Sequence, residues 1–209
     1  MRIEAIVLAA GLSTRFGGQK LLADVGGEPL IRRTVSGILE SRVAGVTVVV
    51  GADAEAVRDA LAGLGVAFTP NPDPAAGMGT SIASGVRTLP DTVDAVVIAL
   101  GDQPVEGALI DALIEAFVSE ASPIVPLRVR NIVIPEFGGV RAPPVLFGRS
   151  WFGALELLTG DSGARGIVEA NPALVSVLAM EGRAPPDIDT RADHSAFTGD
   201  PPGGNANDD

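Results

Sequence analysis

A glycine-rich segment with two cations follows the first buried strand of the chain. Residues 8–22 read L-A-A-G-L-S-T-R-F-G-G-Q-K-L-L, in which Arg15 and Lys20 carry the positive charges. A loop of this kind presents backbone N–H groups and cations to phosphate oxygens. Its spacing fits neither the Walker loop G-x-x-x-x-G-K-S/T nor the dinucleotide fingerprint G-x-G-x-x-G. We interpret it as a polyphosphate-binding loop of a third kind, because a plain βα turn needs only about two to six residues.

Asp102 lies where a divalent cation could be held, just after a buried strand and within the sequence G-D-Q-P. Carboxylate oxygens are the ligands that hard divalent cations prefer. An aspartate at such a junction also commonly caps a helix, so the residue type alone leaves both roles open. Two further carboxylates, Asp187 and Asp189, are two residues apart and lie on one side of an extended segment. They need not serve the same role.

Composition excludes several classes of function. The 209 residues include 46% hydrophobic residues, 26 glycines and no cysteine, and the formal net charge is −11. Disulfides, thiolate metal sites and a cysteine nucleophile are therefore excluded. The acidic balance argues against nucleic acid or an anionic membrane as the main partner. No apolar run approaches the length of a spanning helix, so we expect a soluble cytoplasmic protein.

Strand and helix patterns alternate through the first two thirds of the chain. The predicted strands are Ile3–Ala9, Val46–Val50, Val66–Thr69, Ala95–Leu100 and Ile124–Leu127. The predicted helices are Leu30–Leu39, Ala54–Leu64, Thr80–Thr88 and Leu109–Glu120. Further along, the sequence predicts a hairpin-like run over Val129–Gly138, helices over Trp151–Leu158 and Ala164–Glu169, and a strand over Leu174–Ala179.

This alternation predicts an α/β protein, in which helices cover both faces of a mostly parallel, Rossmann-like sheet to give three layers, α/β/α. Ligands bind beyond the carboxyl ends of the strands in such sheets, so the loops after the first and fourth strands should converge. We expect one domain over residues 1–197 and a disordered tail over 198–209, because the tail has too few apolar residues to order itself.

The loop resembles the L-A-A/G-G-x-S-x-R-M-G-x-x-K signature of the MobA-like nucleotidyltransferases. Within that family it is most similar to the molybdenum cofactor cytidylyltransferase branch, because Ala10 stands where the guanylyltransferase branch has a second glycine. Phe16 replaces the usual methionine. The resemblance covers about Ile3 to Thr190, and it implies the sheet of the nucleotide-diphospho-sugar transferases.

The resemblance implies roles for individual residues. Arg15, Lys20 and Asp102 would be catalytic, the two cations acting on the departing pyrophosphate. Asp102 and Asp189 would hold Mg²⁺, Asp189 through the family's D-I-D-T segment. Gly77 and Ser81 would face the base, through the family's G-M-x-x-S segment. The full set of nucleotide-binding residues would be Leu8, Ala9, Ala10, Gly11, Leu12, Ser13, Arg15, Lys20, Gly77 and Ser81.

Two further stretches resemble the cytidylyltransferase branch, P-V-L-F at residues 144–147 and G-D-S-G-A-R at residues 160–165. In that branch this part helps to bind the pterin, so Asp161 and Arg165 would contact the acceptor. Members usually carry glycine-histidine before the proline of the first stretch, whereas this chain has Ala142-Pro143. That departure leaves the acceptor open.

The implied function is Mg²⁺-dependent transfer of CMP from CTP to the phosphate of molybdopterin or molybdenum cofactor, with release of pyrophosphate. Partners would be CTP or another NTP, a molybdopterin-type acceptor, and a molybdenum hydroxylase or its chaperone. Two alternatives remain. One is a related enzyme that uses GTP or a sugar phosphate. The other is a non-catalytic accessory protein that binds nucleotide or cofactor for a molybdenum enzyme. Oligomeric state is not readable from the sequence.

Overall fold

A computed structural model describes residues 1–11, 16, 19–119 and 131–199. Their strands are β1 (Ile3–Ala9), β2 (Val46–Val50), β3 (Ala67–Pro70), β4 (Ala95–Leu100), β5 (Ile132–Phe137), β6 (Val140–Arg141), β7 (Val145–Gly148) and β8 (Val175–Met180). These strands form a single sheet with the order β3-β2-β1-β4-β7-β5-β6, and β8 also pairs with β5.

The sheet is mostly parallel. Strands β1 to β4 run in one direction and β8 is parallel to β5. Strand β7 is antiparallel to both β4 and β5, and β6 is antiparallel to β5. Every residue of β2 is buried, as expected for a strand covered on both faces. The carboxyl ends of β1, β2, β3 and β4 therefore meet at one edge.

Helices cover both faces of this sheet. The helices are α1 (Leu30–Leu39), α2 (Ala54–Ala60), α3 (Met78–Val86), α4 (Gly107–Ser119), α5 (Phe152–Leu155), α6 (Arg165–Ala170) and α7 (Arg191–Thr198). One core joins α1, α2 and α4 to strand residues such as Val7, and a second joins α3, α5 and α6 to the opposite face, which includes Ile6. The three-layer α/β/α prediction is confirmed.

Individual elements follow the sequence pattern closely where apolar runs are continuous. Strands β1, β2 and β4 and helix α1 have the predicted bounds. Helix α2 is shorter than expected, and α3 begins two residues early. The hairpin between β5 and β6 turns at Gly138-Gly139, and both glycines have positive φ. The sequence analysis predicted neither β7 nor α7. The predicted strand Ile124–Leu127 lies outside the described residues.

Thr190 caps the N-terminus of helix α7: its hydroxyl accepts a hydrogen bond from the backbone N–H of Asp193, while the Asp193 carboxylate accepts one from the N–H of Thr190. This capping box explains why a polar segment forms a helix. The helix ends at Gly199, which has the left-handed conformation.

The division into a domain over 1–197 and a tail remains a prediction, since residues 200–209 lie outside the described part. No helix among the described residues is long and apolar enough to cross a membrane.

Candidate active site

Lys20 lies at the centre of the site and is the only lysine in the chain. Its side chain is 6% exposed, and its Nζ lies 2.6 Å from Asp102 Oδ2 and 2.5 Å from Asp189 Oδ1. Burial by itself lowers the pKa of Lys20, but the hydrogen bonds and negative charges of the two aspartates outweigh it and raise that pKa. The ammonium is therefore held charged between two carboxylates.

Asp187 completes an acidic trio that the sequence reasoning missed. One carboxylate oxygen from each of Asp102, Asp187 and Asp189 lies within 4.8 Å of the other two. Partial desolvation, followed by the charges of Asp102 and Asp189, raises the pKa of Asp187, although a hydrogen bond with the Gln103 side chain opposes this. The available signal was the i, i+2 spacing, which puts both carboxylates of an extended segment on one side.

The trio suits a hard divalent cation. Because one oxygen of each carboxylate lies within 4.8 Å of the other two, a small movement would bring all three to a common ion, and Mg²⁺ takes oxygen ligands at about 2.0–2.1 Å. Desolvation and then repulsion from Asp102 and Asp189 raise the pKa of Asp187, and such an ion would relieve the repulsion. Asp102 and Asp189, both predicted as metal ligands, are brought together here, and Asp187 joins them.

The segment that carries two of these carboxylates is anchored at its centre. Ile188, between Asp187 and Asp189, is completely buried in a small apolar cluster with Phe16, Val25 and Leu30. Because Ile188 points into the protein, its two neighbours on an extended chain point the other way. The sequence thus places an apolar anchor between two functional side chains.

The described part of the phosphate loop borders a cavity of about 260 Å³. Ala10, Gly11 and Gln19 line it together with Asp53, and Gln19 Nε2 donates a hydrogen bond of 3.1 Å to Asp53 Oδ1. The loop after β1 therefore contacts the loop after β2, as expected at a shared carboxyl edge. The predicted phosphate-binding residues Leu12, Ser13 and Arg15 lie outside the described residues.

Asn71 organises the segment that the sequence assigned to the base. Its side-chain Nδ2 donates to the hydroxyls of Thr80 and Ser81, both at 2.9 Å, and its Oδ1 accepts from the backbone N–H of Asp73 at 3.0 Å. Asn71 and Ser81 are both buried, 5% and 6% exposed. The Ser81 hydroxyl therefore holds the start of α3, and its contact with a base stays a prediction.

The predicted base segment packs against the predicted acceptor segment. The backbone N–H of Gly79 donates to the carbonyl of Gly160, and the N–H of Gly160 donates to the carbonyl of Ala76, both at 2.8 Å. Gly77 has φ +100°, and a Cβ there would lie 2.5 Å from the Gly160 oxygen. Only glycine allows the two backbones to approach this closely.

Asp161 and Arg165 follow directly on the segment that contacts Gly77. Asp161 Oδ1 would lie 2.6 Å from a Cβ built on Gly77, so this carboxylate belongs to the same contact. Arg165 points to solvent and pairs with Glu169 at 2.6 Å, an ordinary i, i+4 helix pair. Their role as acceptor contacts stays a prediction.

A larger groove of about 770 Å³ opens beside the acidic trio. Pro104 and Pro186, which stand next to the two acidic segments in sequence, line it, and so does Arg183. Arg183 makes no hydrogen bond or ion pair with the rest of the described chain. The groove is large enough for a small organic molecule, since ligand pockets usually measure about 300–1,000 Å³.

Comparison with known proteins adds a family and three relatives. The model of a family described as the MobA-like NTP transferase domain matches residues 5–175. The purine catabolism protein PucB of Bacillus subtilis is 28% identical over 177 residues, 79% of this chain and 80% of PucB. The CMP-5'-(3-aminopropyl)phosphonate synthase of Streptomyces rubellomurinus is 34% identical over 136 residues, 60% of this chain but 21% of that protein.

A solved structure supports the fold over nearly the whole chain. The complex of Rv0371C with manganese, from Mycobacterium tuberculosis H37Rv, superposes with a TM-score of 0.80 at 26% identity. The superposition covers 95% of this chain and 99% of that one. The similarity therefore includes the sheet, both helical layers and the edge at which the trio lies.

Proposed function

This chain belongs to the MobA-like NTP transferase domain family, as its loop motif predicts, and we propose that it transfers CMP from CTP to the phosphate of a molybdopterin-type acceptor. The acidic trio would hold Mg²⁺, and pyrophosphate would leave. The observation that carries the proposal is the convergence of the only lysine, at the end of the glycine-rich loop, on three carboxylates at the carboxyl edge of the sheet.

The residues present support positioning and charge stabilisation as the source of catalysis. The acceptor phosphate is ionised at neutral pH, so one of its oxygens can attack the α-phosphorus of the nucleotide without a general base. That attack forms the new P–O bond while the bond to pyrophosphate breaks. A divalent ion on Asp102, Asp187 and Asp189 would supply positive charge to the phosphate oxygens.

Lys20 would serve the leaving group. Its ammonium is held charged by the carboxylates, so it can exchange them for pyrophosphate oxygens, where negative charge accumulates as the bond breaks. Arg15 would act on the same group. Backbone N–H groups between Ala10 and Thr14 would hold the β- and γ-phosphates. No cysteine is available for a covalent intermediate, and the motifs suggest no serine–histidine pair.

Two similarities support the choice of metal and base. The aligned Rv0371C structure is a manganese complex, in keeping with a divalent ion as the cofactor. The aligned Streptomyces rubellomurinus synthase makes a CMP derivative, in keeping with CTP. Its product is a phosphonate, so a phosphonate-bearing acceptor is the second candidate, and the chain's own departure at Ala142-Pro143 favours keeping it. GTP, a sugar phosphate or a non-catalytic role are the further alternatives that the experiment must exclude.

The first test is thermal stability with each NTP in turn at millimolar Mg²⁺. A ligand at about 100 times its Kd stabilises the folded state by about 2.7 kcal/mol, which raises the Tm of a domain this size by several degrees. We expect a shift with CTP that Asp102→Ala abolishes and Asp59→Ala preserves, because Asp59 is an exposed helix residue that does not belong to the trio.

The outcomes separate the alternatives. A shift with GTP or UTP in place of CTP moves the assignment to another base, and no shift with any NTP removes the proposal. Pyrophosphate release from CTP and Mg²⁺, compared with molybdopterin and with 3-aminopropylphosphonate as acceptors, then identifies the acceptor class. Binding of CTP without pyrophosphate release from either acceptor would favour the accessory role.

A further inference from the structure

A four-residue apolar cluster connects the phosphate loop to the acidic trio. We call it the Phe16 cluster; its buried members are Phe16, Val25, Leu30 and Ile188, and Ala23 and Phe197 pack against it. Phe16 is 8% exposed and Ile188 is fully buried. These two side chains come from opposite ends of the chain, and no other buried cluster among the described residues includes either of them.

Helix α7 closes over the same cluster. The His194 ring meets the Phe16 ring edge-on, with centroids 6.1 Å apart and an interplanar angle of 80°. The Arg191 guanidinium lies 5.7 Å from the centre of the Phe16 ring. His194 Nε2 also donates a hydrogen bond of 2.6 Å to the carbonyl oxygen of Asp24. Two residues of one short helix therefore contact the Phe16 ring.

The cluster has a direct chain connection to both parts of the site. Phe16 stands four residues before Lys20, within the phosphate loop. Ile188 stands between Asp187 and Asp189, and Thr190 immediately caps α7. A displacement of Phe16 would therefore move the loop that carries Lys20, and a displacement of Ile188 would move two of the three carboxylates.

We propose that Phe16 is a positioning residue that couples metal binding at the trio to nucleotide binding at the loop. The coupling rests on the proposed function, since it assumes a divalent ion at the trio. Packing of Phe16 within this cluster and against α7 holds Asp187 and Asp189 opposite Asp102. A metal ion bound at the trio then orders the Phe16 cluster for nucleotide binding at the loop, and bound nucleotide orders it for the metal ion. Such coupling is reciprocal and typically changes the affinity of each ligand by about 5–150-fold.

The experiment measures Mn²⁺ binding to the full chain by isothermal titration calorimetry. The titration with Mn²⁺ is done first without CTP and then with CTP. We compare the wild type with Phe16→Ala, with Phe16→Met and with Phe152→Ala. Phe152 is a matched control because it is 9% exposed and lies in the core on the opposite face of the sheet. Both alanine variants remove a buried ring, so a purely structural effect would be common to them.

We expect Phe16→Ala to bind Mn²⁺ at least 5-fold more weakly and to lose most of the mutual enhancement between Mn²⁺ and CTP. Phe16→Met should restore both, because methionine fills a similar apolar volume. Phe152→Ala should match the wild type in both. If Phe16→Ala does not fold, His194→Ala decides the question. It removes the ring contact with Phe16 and the hydrogen bond to the Asp24 carbonyl oxygen, and it leaves the four buried residues of the Phe16 cluster in place.

The failures are distinguishable. Equal Mn²⁺ affinity in the wild type and in the folded Phe16 or His194 variant overturns the coupling and leaves the proposed function standing. Equal weakening in Phe152→Ala also overturns it, because the effect would then be a general loss of stability. Absence of Mn²⁺ binding by the wild type overturns the proposed metal site, and the coupling with it.

Discussion

Lys20 Nζ lies 2.5 Å from Asp189 Oδ1, although 169 positions separate the two residues in the chain. Asp102 shares the same ammonium at 2.6 Å. One buried cation therefore offsets part of the charge of three carboxylates in the ligand-free protein. A divalent ion at the proposed site would compete with Lys20 for the carboxylates of Asp102 and Asp189, so metal binding should release the ammonium for phosphate groups.

Replacement of Lys20 by alanine separates its two roles. We expect turnover, measured as pyrophosphate release, to fall by about 100-fold or more, the range for loss of one donor that stabilises developing charge. Mn²⁺ affinity without nucleotide should rise at the same time, because the competing cation is gone. Lys20→Arg is the control, since it keeps the charge and should retain more activity. Near-normal turnover in Lys20→Ala would contradict the assignment of the loop.

Asp187 should make the metal-free protein less stable as the pH rises. Its pKa is raised in the folded state, so the folded protein binds the proton more tightly than the unfolded chain, for which an aspartate pKa is about 3.9. The protonated carboxyl therefore adds to the free energy of unfolding. This contribution is complete below the pKa of the unfolded chain and is lost as the pH rises through the raised pKa of the folded protein. At neutral pH the ionised group therefore costs stability.

Asp187→Asn tests this with two measurements. The metal-free variant should have a Tm equal to or above that of the wild type at neutral pH, and it should lose most of the Tm increase that Mn²⁺ gives the wild type. Asp189→Asn is the contrast, because it breaks the bond to buried Lys20 and should lower the metal-free Tm. A metal-induced shift unchanged in Asp187→Asn would exclude Asp187 from the metal site.

Gly77→Ala should destabilise the protein more than the same change at another glycine of similar backbone conformation. Gly77 has φ +100° and Gly63 has φ +84°, so both substitutions carry backbone strain. A Cβ at Gly77 would also meet the Gly160 oxygen at 2.5 Å, whereas nothing lies within 4 Å of one at Gly63. The difference in Tm between the two variants therefore measures the close contact alone. Equal Tm values would show that the two segments are not tightly packed.

Local patterns predicted the parts of the fold that local forces determine. The mostly apolar runs of β1, β2 and β4 set their bounds correctly, because a strand covered on both faces consists largely of apolar residues. Helix α7 escaped prediction because its residues are mostly polar, yet its capping box at Thr190 and Asp193 was a readable signal. The antiparallel β7 was read only as a family motif.

Sequence reasoning singled out some of the residues that the structure brings together, but it did not predict their contacts. Motif resemblance singled out Lys20, Asp102 and Asp189, and the parallel sheet implied a common edge for the loops that follow its strands. No local pattern indicates that Lys20 pairs with both carboxylates, or that a buried Ile188 turns Asp187 towards them. Such contacts depend on long-range packing between chain ends, which spacing does not encode.

The chemical reactivity of Lys20 gives the last prediction, because the chain has no other lysine and an amine-reactive reagent can label only it and the N-terminal amine. Its raised pKa keeps the reactive free amine scarce, and its side chain is only 6% exposed. Labelling at pH 8, followed by mass spectrometry, should therefore modify the N-terminal amine much faster than Lys20.

The double variant Asp102→Asn with Asp189→Asn should accelerate Lys20 labelling several-fold, because it weakens the hydrogen bonds and removes the negative charges that raise the pKa of Lys20. The labelling rate of the N-terminal amine serves as an internal control. CTP with Mg²⁺ should slow Lys20 labelling in the wild type, because phosphate oxygens would take over the ammonium. Rapid labelling of Lys20 in the ligand-free wild type would contradict its burial between the two carboxylates.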